Sequence, residues 1–249
     1  MVENKIPKTI HYIWLGTRPL DDLSKKCMRT WERLLPDYKV VCWNDENSMD
    51  IIYQNKYAKQ AYEAKKFAFV SDYLRLYILY NYGGVYMDTD VEIIKNINEF
   101  LEHSAFTSFE DEKRIPTALM GSEKGGIWVK WLLDYYNDRD FINKEGKFDY
   151  TTNVDTITEM SKKFGFVANG KKQVLDGDVH IYPREYFCPL DTRNSKNDKI
   201  TKNTYAIHLY NGSWTPYYRR ILSKIKKKLG LNVEKILGEK LYKVLSKKY

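Results

Sequence analysis

Residues 71–92 read SDYLRLYILYNYGGVYMDTDVE. Phe69, Tyr73, Leu76, Tyr77 and Tyr80 recur every three or four positions, the period of a helix with one buried face, and helical composition reaches back to residue 56. Gly83 and Gly84 stop that helix. Residues 85–87 are short and β-rich, which makes them a strand, and that strand delivers Asp88 to its carboxyl end. On a strand, residues i and i+2 point to one side, so Asp88 and Asp90 are expected to present their carboxylates together.

The flanking sequence supplies the rest of the architecture. Residues 8–15 read as a strand closed by Gly16, and residues 21–35 as a helix opened by Asp21 and Asp22 and stopped by Pro36. Residues 38–43 form a second strand. Strand, helix and strand at this spacing are a βαβ unit. Further strands are expected at 105–109, 179–182 and 204–209, and helices at 127–136 and 154–164. The expected fold is α/β: a mixed, mostly parallel sheet flanked by helices over residues 1–215, with a basic helical tail over 216–249.

The chain has 249 residues, 43% of them apolar, enough to build a core. Three cysteines without CxxC spacing suggest neither a disulfide framework nor a cysteine-held zinc. With no charged leader before an apolar segment, and no uncharged apolar run of about 18 residues, the expected setting is cytoplasmic. The net charge of +8 is local. Residues 219–249 hold eleven Lys or Arg against Glu234 and Glu239, whereas the remainder is nearly balanced.

Two carboxylates side by side repel unless a cation lies between them. A bare Asp-x-Asp also reads as a solvated turn. The apolar approach, the glycine pair and the position at a strand's carboxyl end favour a ligand site. Oxygen ligands suit Mg²⁺ or Mn²⁺, with coordination positions left for a diphosphate. Carboxylates that hydrolyse a glycosidic bond must flank it from opposed positions about 5 to 9.5 Å apart, which neighbours on one strand do not. Asp72 and Arg75 share a helix face, either as a surface ion pair or as donors and acceptors for sugar hydroxyls and phosphate. His208 is a structural hydrogen-bonder or a third metal ligand. Trp14 is either core or a platform for a nucleotide base.

The blocks IPKTIHYIWLG (6–16), FVSDYLRLYILYNYGGVYMDTDVE (69–92) and IHLYNGSW (207–214) together resemble the glycosyltransferases with a DXD-containing sugar-binding region. That family includes the yeast initiating α-1,6-mannosyltransferases and bacterial capsular and lipopolysaccharide enzymes. The glucosyltransferase domains of the large glucosylating toxins are similar in the same stretches. The resemblance implies a GT-A fold and a divalent metal, with hexose transfer from a nucleotide-sugar and retention of configuration. It implies nucleotide-sugar contacts from Ile13, Trp14, Ser71, Asp72, Arg75, Tyr86, Asp88, Ser213 and Trp214. Asp72, Arg75, Asp88 and Asp90 become the catalytic set, and Asp88, Asp90 and His208 the metal ligands. Asn153 and Asp155 fall where family members place acceptor-side elements, although the chain lacks their common Gly-Pro. It also departs from the toxins around His208, where they carry a carboxylate.

The expected donor is a UDP-sugar, UDP-galactose or UDP-glucose. The expected acceptor is a saccharide, including a lipid-linked intermediate of bacterial capsule, exopolysaccharide or lipopolysaccharide synthesis. Apolar residues at three- and four-residue spacings in 219–249, with lysines between them, suit packing on the body or an anionic membrane surface at the inner face of the cell membrane. A nucleic-acid-binding tail is the alternative for the lysines and leaves the body unexplained, so no nucleic acid is expected. A non-catalytic nucleotide-sugar binder is the other alternative.

Overall fold

A computed structural model describes residues 3–192 and 194–212. The chain divides into Met1–Tyr210 and Asn211–Tyr249, and only the first unit is considered below. The expected tail and its boundary at residue 215 fall outside the described residues, as do Ser213 and Trp214.

Strand β1 (Thr9–Ile13) is followed by helix α1 (Asp22–Leu34) and strand β2 (Lys39–Trp43). Asp21 caps α1 by accepting from the Ser24 amide at 2.9 Å. Helices α2 (Asp45–Gln54), α3 (Lys56–Glu63) and α4 (Phe67–Tyr82) lead to β3 (Gly84–Met87). Then come β4 (Val91–Ile93), β5 (Ala105–Ser108), β6 (Leu119–Ser122), α5 (Ile127–Asp134) and α6 (Asn153–Ser161). Strands β7 (Gln173–Leu175), β8 (Val179–Tyr182) and β9 (Ala206–His208) complete the unit.

The main sheet has the order β2-β1-β3-β6-β5-β8-β7. Strands β1, β2 and β3 run parallel, β6 runs antiparallel to both β3 and β5, and β8 is parallel to β5 with β7 antiparallel beside it. The α/β architecture is as expected: most strands share one direction, and helices cover both faces. Alternation along the strands sorts the core into two halves. Val85 and Met87 face the side of Trp31 and Leu35, while Tyr86 faces Leu74, Leu76 and Ile78 of α4.

Two expectations are corrected. The helix expected across 56–82 is broken between α3 and α4. Lys65 takes φ +56, with Lys66 N donating to Ala61 O and Lys65 N to Tyr62 O, both at 2.8 Å. That pair of bonds is a Schellman motif, closed by a lysine instead of the usual glycine. Asp88 and Asp90 do not lie on a strand. They sit in the turn between β3 and β4, closed by Val91 N donating to Asp88 O at 3.1 Å.

The glycine pair has a steric reason. Gly84 has φ +107, and a Cβ there would lie 2.6 Å from the Thr9 carbonyl oxygen and 3.0 Å from His11 Nε2. His11 is buried, with Nε2 2.9 Å from Gly83 O and Nδ1 3.1 Å from Trp43 Nε1, so β1, β2 and the α4–β3 junction meet at one imidazole. Gly84→Ala is therefore expected to lower unfolding free energy by about 2–4 kcal/mol through backbone strain and overpacking. Chemical denaturation measures this, and a change below about 0.5 kcal/mol would refute the close-approach argument.

Candidate functional site

The β3 register places Asp88 one residue past the carboxyl end of the strand, on the edge of the sheet where β1 ends with Ile13 and Trp14 follows. Three elements converge on it. From α4 comes Arg75, 4% exposed, whose Nη2 is 3.0 Å from Asp72 Oδ1 and whose Nη1 is 3.6 Å from Asp88 Oδ1. Its other donors go to Ser71 O and Oγ at 3.0 and 3.1 Å and to Thr117 O at 2.7 Å. From β3 comes Tyr86, buried, with its ring centroid 4.6 Å from the Arg75 guanidinium carbon and its hydroxyl donating to Asp88 Oδ1 at 2.7 Å. Asp88 is thus held through one carboxylate oxygen.

The third element is the two-stranded sheet of β4 and β9, in which Val91 is opposite His208. That register sets His208 Nε2 3.5 Å from Asp90 Oδ1, and Leu209 N donates to Asp90 O at 3.0 Å. One ligand atom each from Asp88, Asp90 and His208 lie within 4.8 Å of one another. Two carboxylate oxygens and an imidazole fit Mn²⁺ or Mg²⁺. His208 Nδ1 is buried and has no hydrogen-bond partner among the described residues, which is a cost unless a ligand uses the ring. The turn itself is anchored, since Ser24 of α1 donates to the buried Thr89 at 3.2 Å.

Ionisation follows from this packing. Burial pushes the Asp72 carboxyl up to about 6, against the pull of Arg75 and with a further push from Asp88. Arg75 stays charged: burial works against it, but Tyr86, Asp88 and Asp72 outweigh that. Burial would depress His208, yet its contacts with Asp90 and Cys188 lift it to about 10, so a metal would bind this ring only by displacing a proton. Because the folded-state value of Asp72 lies above its ordinary value of 3.8, ionising it costs stability. That cost begins near pH 4 and is fully present above about pH 6. Asp72→Asn should therefore gain on wild type by about 2 kcal/mol between pH 4 and pH 8, most of the total set by about 1.4 kcal/mol for each pH unit between the folded and ordinary values. Urea unfolding at both pH values measures it, and a pH-independent difference would rule out the buried ionised carboxylate.

Of the other expected residues, Ile13 is buried at the end of β1, and Trp14 donates Nε1 to Arg18 O at 2.6 Å and its amide to Trp43 O at 2.8 Å. Asn153 joins the donor side: its Nδ2 is 3.4 Å from Asp72 O, and its Oδ1 accepts from Tyr136 at 3.1 Å. Asp155 does not meet Asp72. Its amide donates to Thr152 Oγ1, the cap of α6, at 3.2 Å, its Oδ2 accepts from that hydroxyl at 2.7 Å, and its Oδ1 lies 3.8 Å from Arg114 Nη1. Thr117 was not foreseen, because it contributes only a carbonyl.

A second His/Asp group, His103, Asp178 and His180, also lies within ligand distance. It sits at the amino ends of β5 and β8, the opposite edge of the sheet, where Lys5, Ser104 and Tyr182 already bond its members.

Residues 21–107 match the family described as "Glycosyltransferase sugar-binding region containing DXD motif". An uncharacterised glycosyltransferase of Acanthamoeba polyphaga mimivirus is 23% identical over 225 residues, 86% of each chain. Inositol phosphoceramide mannosyltransferase 3 of Schizosaccharomyces pombe is 29% identical over 126 residues, 48% of this chain and 34% of that one, so the chain spans about a third of the fungal protein's length. Among solved structures, mouse xyloside xylosyltransferase 1 aligns with TM-score 0.49 at 11% identity, over 84% of this chain and 99% of that one. The matched segment contains Asp72, Arg75, Asp88 and Asp90 and ends before His208. The similarity to the DXD-containing sugar-binding region of glycosyltransferases is thus confined to residues 21–107 in the family match, the segment that holds the Asp-x-Asp pair.

Proposed function

We propose that the chain is a divalent-metal-dependent, retaining glycosyltransferase that moves a hexose from a UDP-sugar, UDP-galactose or UDP-glucose, to a saccharide acceptor. The observation that carries this is the convergence of Asp88, Asp90 and His208 beside the buried Arg75. A bound Mn²⁺ or Mg²⁺ would act as a Lewis acid toward the donor's diphosphate. The protein's own part is electrostatic. Arg75 is desolvated and rigid, fixed by two carboxylates, two backbone carbonyls and a serine hydroxyl, so it meets developing phosphate charge without reorganising. Asp72, held beside it at a cost in stability, is placed to accept from hydroxyls of the donor sugar. With retention by front-face attack, the bond from the anomeric carbon to phosphate breaks, the acceptor oxygen bonds on the same face, and its proton passes to the departing phosphate.

The acceptor is proposed to be lipid-linked, which the name of the fungal mannosyltransferase supports, since inositol phosphoceramide is a lipid. A bacterial capsular, exopolysaccharide or lipopolysaccharide setting at the cytoplasmic membrane face belongs to the same proposal. No helix among the described residues is long and apolar enough to cross a membrane. The test is a panel of UDP-hexoses, their N-acetyl forms and GDP-mannose, scored for Mn²⁺-dependent hydrolysis and thermal stabilisation. A ligand at 100 times its dissociation constant adds about 2.7 kcal/mol. Stabilisation without turnover would identify a non-catalytic binder, and the absence of both would refute the proposal.

A further inference from the structure

Beyond the donor side, β5 ends at Ser108 and the chain continues through the buried Phe109 to Glu110, on the same edge of the sheet as Asp88. The Glu110 side chain is 18% exposed. Its Oε2 lies 3.2 Å from Arg114 Nη2 and is buried without accepting a hydrogen bond among the described residues. Burial holds this carboxyl above its usual range, with Arg114 and His208 pulling the other way. Tyr210, whose ring centroid is 3.9 Å from that of His208, lines a small pocket with Glu110, Arg114 and Arg184. The pocket shares Asp111, Arg184 and Asp191 with a larger cleft of about 680 Å³, so the space continues outward from the pocket that Tyr210 lines.

Arg184 forms part of the wall of both. It is 7% exposed, bonds Pro189 O at 3.0 Å and Asn197 O at 3.3 Å through Nη2, and leaves Nε without a hydrogen-bond partner among the described residues. A buried guanidinium with an unused donor is costly unless a ligand satisfies it, and the nearby Glu110 Oε2, held only by its ion pair with Arg114, has acceptor capacity left for the same ligand. Among the described residues, the outer cleft carries as many acidic as basic side chains. That balance disfavours a phosphate or a peptide of one sign and suits a neutral, hydroxyl-rich molecule, because each hydroxyl both donates to carboxylates and accepts from guanidinium groups. The volume is ordinary for a small-ligand site.

We propose that this cleft is the acceptor site, that it takes an uncharged saccharide, and that Glu110 accepts a hydrogen bond from a hydroxyl of that saccharide other than the one that reacts. The assignment rests on the glycosyltransferase reading and extends it to the acceptor's chemistry. It also corrects the expected acceptor side: Asp155 meets this region through Arg114, whereas Asn153 belongs to the donor side.

Saturation-transfer NMR with Mn²⁺ and UDP, on a panel of lactose, maltose, cellobiose, melibiose and α-1,6-mannobiose at millimolar concentration, tests it without turnover. Wild type should saturate at least one disaccharide. Glu110→Gln should weaken that signal at least fivefold. Thr192→Trp, which fills the inner pocket from an exposed position, should do the same without touching the core. No saturated disaccharide, or a signal that survives both variants, would overturn the proposal. If wild type hydrolyses no nucleotide-sugar, the donor reading fails while the NMR result still decides the cleft. Where an accepted disaccharide is glycosylated, both variants should lower the ratio of transfer to hydrolysis by at least tenfold. An unchanged ratio would remove Glu110 from the acceptor's contacts.

Discussion

Asp90→Asn lowers kcat/KM for Mn²⁺-dependent hydrolysis of the preferred nucleotide-sugar by about 10³-fold, as expected when charge stabilisation of a leaving group is withdrawn. The substitution is nearly isosteric and retains the turn between β3 and β4, so the loss should appear in turnover and metal affinity while the cooperative thermal transition persists. Asp88→Asn should behave similarly, but for two reasons. It would remove a ligand of the proposed metal, and it also removes the anion that Arg75 and Tyr86 face at 3.6 and 2.7 Å. A titration of activity against Mn²⁺ separates the effects, since a pure ligand loss is partly recovered at high metal and a misplaced Arg75 is not. Turnover within threefold of wild type in Asp90→Asn would show that the carboxylate pair is not the metal site.

Arg75→Leu is the largest stability effect expected. The leucine fits a helix, but it strands Asp72, Asp88, Ser71 O and Thr117 O in an interior that had satisfied them with one guanidinium. Removing one partner of a buried ion pair costs about 3–5 kcal/mol, which for a chain of this size lowers the melting midpoint by roughly 10 °C. Adding Asp72→Asn should recover part of that loss, because the orphaned charge is the cause. Strict additivity of the two substitutions would show that Asp72 and Arg75 are not coupled.

The sequence disclosed the chemistry of the site more readily than its geometry. The two aspartates were legible as a pair, yet the reason given, shared orientation on a strand, was wrong; a turn gathers them. That turn depends on β4, three residues whose partner β9 lies more than a hundred positions away, so no local pattern reveals it. The break between α3 and α4 was invisible because a lysine takes the left-handed position that a glycine would have announced. Strand β6 was missed as well. Its sequence, LMGS, holds Gly121, where a Cβ would lie 2.1 Å from the Phe106 ring, and tertiary closeness dictates the small residue against strand propensity. Arg75 and Asp72 were visible as neighbours on a helix face, but only packing shows that the face is buried.

The pairing of β4 with β9 also sets an order of assembly. Residues 84–93 leave the ribosome with both aspartates, but the imidazole that joins them arrives at residue 208, after all the strands of the main sheet have been made. Through most of synthesis the nascent chain can build its sheet while the proposed metal site lacks its histidine. Closing β9 onto β4 is therefore the step that would complete that site in an already folded domain.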